Sequence, residues 1–374
     1  MHLSNLDSIS DPGNRYIGSA DAIALGEALF FSPILSHDGN TACASCHDTS
    51  QYFTSGNVKD GHRNTPTIVG AATSPWQLWD GKADSLWSQA LIPFEEPTEH
   101  GISRLEVVEL VLEHFLPEFV QAFGQVEEIR QFGQIRQQHE SQPLGEGSQQ
   151  QWQSLSASER NTVNRLFAKV GKAIAAYEAQ LLPGEARLDG YISAIEQQDF
   201  ALADDWLTPS EEAGLRIFIS EKGQCIRCHN GPMLSNGDFT VTASPESQHD
   251  QGRIKVVSSI TKAEFGCLSE YSDGQECDEV RYLKTEGAEL MHAFKVPSLR
   301  NITLTAPYMH QGSLGDLNAV VDYYNRAPRN GLAHTELEPL YLLPYQRKQL
   351  VDFLSALEGG ISPTSVSRIP HKEE

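Results

Sequence analysis

Apolar residues recur at helical spacing along most of this chain. "SADAIALGEALFFSPILS" opens on the cap-forming Ser19 and Asp21, carries the helical pattern and stops before Pro33. "ISRLEVVELVLEHFLPEFVQAFG" begins with a Ser103-x-x-Glu106 capping box and is predicted to break near Pro117. "TVNRLFAKVGKAIAAYEAQLL" predicts another amphipathic helix. In "LTPSEEAGLRIFIS" Thr208 caps, Pro209 takes the first turn and Glu211 completes the box. "PYQRKQLVDFLSALEG" predicts a last helix that ends at Gly359-Gly360. In "LNAVVDYYNR" Leu317, Val320, Val321 and Tyr324 share one face, and Tyr323 falls off it. Strand-like runs are few, "FTVTA" and "IKVVSS" being the best. The expected fold is mostly α.

Two stretches interrupt this pattern. "QQHESQPLGEGSQQQWQS", near 135–155, is polar and Gln-rich and predicts an exposed insertion. A polar segment near 240–290 holds Cys267 and Cys277. At 374 residues the chain is long enough for two packed cores. Its 50 acidic against 28 basic residues give a net charge of -22, which disfavours nucleic acid and anionic lipid as partners. No apolar run approaches the roughly 18 residues of a membrane span, so no membrane insertion is expected. The first residues lack a charged and then apolar signal region, so an exported protein would be present here in processed form.

The cysteines change the picture most. Cys43, Cys46 and His47 lie in "CASCH", and Cys225, Cys228 and His229 lie in "CIRCH". C-x-x-C-H is the attachment signature of c-type haem: each thiol adds to a vinyl group, and the adjoining histidine binds iron. A redox dithiol or a shared four-thiolate zinc site is the alternative. The trailing histidine in both units favours two covalent haems. A helix leading into C-x-x-C-H occurs twice, which predicts two cytochrome c-like domains, 1–165 and 166–374. Covalent c-haem is assembled outside the bacterial cytoplasm, so a periplasmic location is expected, where a Cys267–Cys277 disulfide would persist.

Two haems serve either electron transfer alone or catalysis at an iron with an open face. The remaining ligand at each iron separates these; of the internal methionines Met233, Met291 and Met309, Met291 and Met309 are chemically able to fill it.

"DGNTACASCHD", "RNTPT", "LWDGKAD", "FKVPSLRN" and "LTAPYMHQGSL", in this order, resemble the bacterial dihaem cytochrome c peroxidase/MauG family. The resemblance runs from about residue 20 to 358, apart from the two polar stretches. In the peroxidase branch a methionine ligand of the second haem stands fourteen residues after the histidine of "PYxH". Here that histidine is His310 and the residue is Tyr324, as in the MauG-like branch that includes the MbnH proteins. A tyrosine oxygen favours oxidised iron, so a His229/Tyr324 haem suits storage of an oxidising equivalent. A core tyrosine is the plainer alternative.

The resemblance also separates members of the acidic loop "IPFEEPTEHG". It implies Glu99 as the distal acid/base for peroxide, Pro93 as a wall over the first haem, and Trp79 as a relay between haems. His62 is a rival ligand for the first iron, because some family members block that iron with a histidine from this loop. Asn64, Thr305 and Pro307 correspond to calcium ligands between the domains, the last two through backbone carbonyls. "SEKGQCIRC" departs from MauG, which has a tryptophan just before its second C-x-x-C-H. The expected function is peroxide-driven oxidation of a partner protein's Trp or Tyr through high-valent haem iron. The alternatives are a peroxidase fed by an electron-donor protein and a non-catalytic electron carrier.

Overall fold

The computed structural model describes the chain except residues 6–8, 10, 12, 57, 59–61, 140–147, 246–248, 275–276 and 363–374. The described residues are mostly helical. The helix Ala20–Phe31 is capped by Ser19, and Pro33 follows it closely. Arg104–His114 carries the Ser103/Glu106 box, and a second helix, Leu116–Phe123, restarts with Pro117 in its first turn. A proline there lacks only a backbone N–H that no earlier turn would have accepted. The long helix Ala157–Glu178 starts one turn before the sequence pattern predicts, on a Ser156/Glu159 box. Pro209–Ile219 has the Thr208/Glu211 box, and the last helix, Pro344–Ser355, ends before Gly359.

The apolar side chains form two main clusters. The first gathers Leu25, Leu29 and Phe30 with Trp87, Phe94, Val107 and residues 163–181. The second gathers Leu215, Phe218, Leu317, Val321, Phe353 and Leu354. The long helix Ala157–Glu178 is continuous through residues 165 and 166 and packs in the first cluster.

Each cluster is built on one close helix crossing. A Cβ added at Gly26 would lie 1.9 Å from the Ala173 carbonyl oxygen, and one at Gly214 would lie 2.0 Å from that of Gln349. Only glycine lets these backbones approach so closely. The helix before each C-x-x-C-H therefore lies directly on a later helix of its own cluster.

Two expectations change. "IKVVSS" folds into short helical turns, Arg253–Lys255 and Val257–Ile260. Its β-branched residues find no strand partner, because Gly252 turns at φ +60° and Arg253 is buried with its guanidinium on the Asp80 and Gly81 carbonyls. The strand Phe239–Thr240 instead pairs antiparallel with Phe294–Lys295. The Gln-rich stretch is not wholly exposed: Ile135 and Gln151 are buried and Arg104 lies over the Trp152 ring. Its residues 140–147 lie outside those described.

The polar cysteine segment acts as a clasp. Cys267 and Cys277 are disulfide-bonded. Around them Glu264 pairs with Arg104 at 2.7 Å, Asp273 with Lys172 at 2.8 Å, and the Cys267 N–H donates to Asp84 at 2.9 Å. Phe265 and Tyr271 pack against the first cluster. A segment from the second half of the sequence thus closes over the first half.

Candidate haem sites

Both C-x-x-C-H motifs hold their histidine in the same way. Cys43–Cys46 forms a single helical turn, and the His47 Nδ1 lies 3.0 Å from the Phe53 carbonyl. Cys225–Arg227 forms a 3₁₀ turn, and the His229 Nδ1 lies 3.1 Å from the Leu234 carbonyl. Phe53 (φ +57°) and Leu234 (φ +52°) both adopt the left-handed conformation, which turns each carbonyl back onto its ring. A ring that donates from Nδ1 keeps the Nε2 lone pair for a metal. Burial lowers the pKa of His47 and takes that of His229 to about 4, against the opposing backbone of Pro66 and Pro297 respectively. Neutral imidazoles are what iron ligation requires.

None of the four motif cysteines is in a disulfide, and burial pushes Cys225 up to about 12. Among the described residues no group of three or more His, Cys, Asp or Glu converges on one point, which disfavours a shared zinc site. Two thiols beside a neutral, oriented imidazole, once in each cluster, fit covalent haem.

The surroundings of the two motifs differ. Near the first, His100 is buried, donates from Nδ1 to the Leu35 carbonyl at 2.7 Å and sets Nε2 4.0 Å from the Cys43 sulfur. Glu99 precedes it at the open side of the loop, with Pro93 held through the His100 N–H to its carbonyl at 3.1 Å. Surrounding protein raises the Glu99 pKa, mainly by desolvation and then by Glu96, while Lys82 and His62 oppose. His62 is exposed, and its charge acts on Glu99.

Near the second motif the helix Leu317–Arg326 delivers two tyrosines. Tyr323 is the buried structural one: its hydroxyl donates to the Ala243 carbonyl and accepts from Asn330. Tyr324 is half-buried, and its hydroxyl pKa is raised by desolvation and then by Cys225 and Cys228. It therefore stands at the second motif. The apolar stripe did not separate the two tyrosines as expected, since both pack; their partners separate them. Met291 is 38% exposed, whereas Met233 is buried with its methyl against Gly70.

Trp79 ties the two loops together. Its indole N–H donates to the Asn64 carbonyl at 2.7 Å, and its own carbonyl accepts from the Lys295 N–H at 2.8 Å. Asn64 lies two residues before Pro66, which faces His47, and Lys295 lies two before Pro297, which faces His229. The Asn64 side-chain amide meets the Pro307 carbonyl at 2.6 Å, and its N–H donates to the His310 carbonyl at 2.7 Å. Thr305 is in the same turn, with its hydroxyl on the Ile302 carbonyl.

Several polar residues here have no local sequence signal. Arg63 pairs with Asp80 and Asp250, and His310 stacks on Phe294 at 3.8 Å. Glu178 is buried with one carboxylate oxygen unpartnered, and its charge acts on the Cys43 thiol.

A sequence profile described as "Di-haem cytochrome c peroxidase" matches residues 20–197. "Cytochrome-c peroxidase IdrP2" of Denitromonas iodatirespirans is 30% identical over 91% of this chain and 83% of its own length. The chain belongs to the di-haem cytochrome c peroxidase/MauG family. "Methylamine utilization protein MauG" of Methylorubrum extorquens is 28% identical over 94% of this chain and 82% of its own. The crystal structure of a MauG-like protein associated with microbial copper homeostasis has the same fold, with TM-score 0.65 at 22% identity over 95% of both chains. Membership makes this a dihaem oxidoreductase chain of mostly helical fold. Among the described residues no helix is long and apolar enough to cross a membrane.

Proposed function

We propose that this chain is a periplasmic dihaem enzyme that reacts with hydrogen peroxide at the His47 haem and oxidises a Trp or Tyr of a partner protein. The carrying observation is Tyr324, whose hydroxyl stands beside Cys225 and Cys228 where a methionine would suit electron delivery. Two cytochrome c-like domains hold the haems through Cys43, Cys46 and His47, and through Cys225, Cys228 and His229. When bound, the haems supply peroxide reduction and storage of oxidising equivalents.

The protein's own residues do the rest. Glu99, with its raised pKa, retains a proton more readily than a solvated carboxyl and moves it between peroxide oxygens. Pro93 would pack against the first haem, and Trp79, which bridges the two histidine loops, would serve as the relay. Asn64, Thr305 and Pro307 would hold calcium once the Asn64 amide turns its oxygen toward the Pro307 and Thr305 carbonyls.

The test is peroxide treatment of the holoprotein with candidate partners, followed by mass spectrometry for added oxygen or crosslinks on the partner. Tyr324→Phe is expected to change the absorption spectrum of the second haem; an unchanged spectrum removes the ligand assignment. A second reading, peroxide reduction with an electron-donor protein, draws on the cytochrome-c peroxidase relative. Steady turnover with reduced cytochrome c and no modified partner would favour it.

A further inference from the structure

Oxidation of a partner needs a route from the half-buried second motif to a partner's surface, and "SEKGQCIRC" offers no aromatic for it. The structure brings one from elsewhere in the chain. Leu340 donates its N–H to the Asn325 carbonyl at 3.2 Å, and Leu342 donates to Asn325 Oδ1 at 2.7 Å. Asn325 directly follows Tyr324. Leu340 and Leu342 are buried in the second cluster, while Tyr341 between them is 78% exposed.

Tyr341 also holds φ +52°, a conformation bulky aromatics rarely adopt. The flanking hydrogen bonds impose it, and it points the ring outward between two inward leucines. Such strain in an exposed residue invites a functional explanation. The same surface continues toward the haem-binding cysteines: Gln346 accepts from the Leu343 N–H at 3.1 Å and from Lys222, three residues before Cys225, at 3.0 Å.

We propose that Tyr341 is the surface redox residue through which the second haem site oxidises its partner. This rests on the function proposed above. Hydrogen peroxide takes up two electrons and two protons to give two waters. For each electron passed inward past Asn325 and Tyr324, the Tyr341 phenol O–H releases its proton to water. The partner's aromatic group then returns one electron and one proton, restoring the phenol, and a second cycle delivers the second electron.

The test uses the holoprotein, hydrogen peroxide and the radical trap 2-methyl-2-nitrosopropane, with peptide mapping and haem absorption followed together. A trap adduct is expected on the peptide holding Tyr341, lost in Tyr341→Phe and kept in Tyr282→Phe. Tyr282 is an equally solvent-facing tyrosine in the clasp. If haem absorption responds to peroxide but Tyr341 stays unlabelled, the exit assignment fails and the peroxide reading stands. An undiminished adduct on that peptide in Tyr341→Phe also overturns the assignment. No haem response to peroxide overturns both.

Discussion

The two haem-binding motifs share a histidine anchor and differ in what faces it. In each, a left-handed residue turns a carbonyl onto Nδ1, and a proline backbone faces the same ring. The first is flanked by a loop bearing Glu99, whose pKa desolvation raises, and the buried His100. The second is flanked by a helix bearing Tyr324, which supplies a ligand-type oxygen. Similar anchoring with unlike surroundings is what the proposed division of tasks between two haems rests on.

The sharpest way to break that comparison is Glu99→Gln. If Glu99 serves only the first site, the reaction with peroxide slows by about 10²–10⁴-fold in stopped-flow absorption while the second haem's spectrum stays unchanged. A variant that reacts at the normal rate would make the two faces equivalent.

A second contrast lies in the buried carboxylates. Asp189 is paired bidentately with Arg300, both about 1% exposed. Asp189→Asn leaves the guanidinium unpaired and is expected to cost about 3–5 kcal/mol in denaturant unfolding. Burial alone would raise the Asp189 pKa, but Arg300 and the Ala186 and Leu3 N–H groups hold it below the ordinary value. Its stabilisation is therefore complete above the ordinary carboxylate range and is lost as pH falls through the lower folded value.

The matched glycine crossings sharpen the comparison further. Gly26→Ala and Gly214→Ala should each destabilise by about 1–3 kcal/mol, since the neighbour is backbone and cannot move aside. Hydrogen exchange should show the loss concentrated in the first cluster for one and the second for the other.

A further contrast is Glu178, a buried carboxyl whose pKa is governed by burial alone where Asp189 has Arg300. Burial raises its pKa to about 8, so the folded state keeps a proton that the unfolded state releases above its ordinary value of 4.5. Stability then falls as pH rises between those values, by less than about 1.4 kcal/mol per pH unit. Glu178→Gln should flatten that dependence in thermal unfolding measured from pH 5 to 8.

Local signals were legible where the physics is local. The capping boxes at Ser103 and Thr208 place helix starts because side chain and backbone meet within four residues. "IKVVSS" misled because a strand needs a partner, and the partner chosen by Phe239–Thr240 lies beyond it at Phe294–Lys295. The stripe in "LNAVVDYYNR" could not rank its tyrosines, since both sides of that helix pack.

The sequence alone determined the two C-x-x-C-H motifs, the helices around them and the family resemblance, because these depend on neighbours in the chain. Tertiary structure decided the rest: Tyr324 beside Cys225, Trp79 between the two histidine loops, the cysteine segment closed over the first cluster, and Tyr341 facing solvent next to Asn325. Each joins residues far apart in sequence, where only packing and hydrogen-bond satisfaction in three dimensions select the partner.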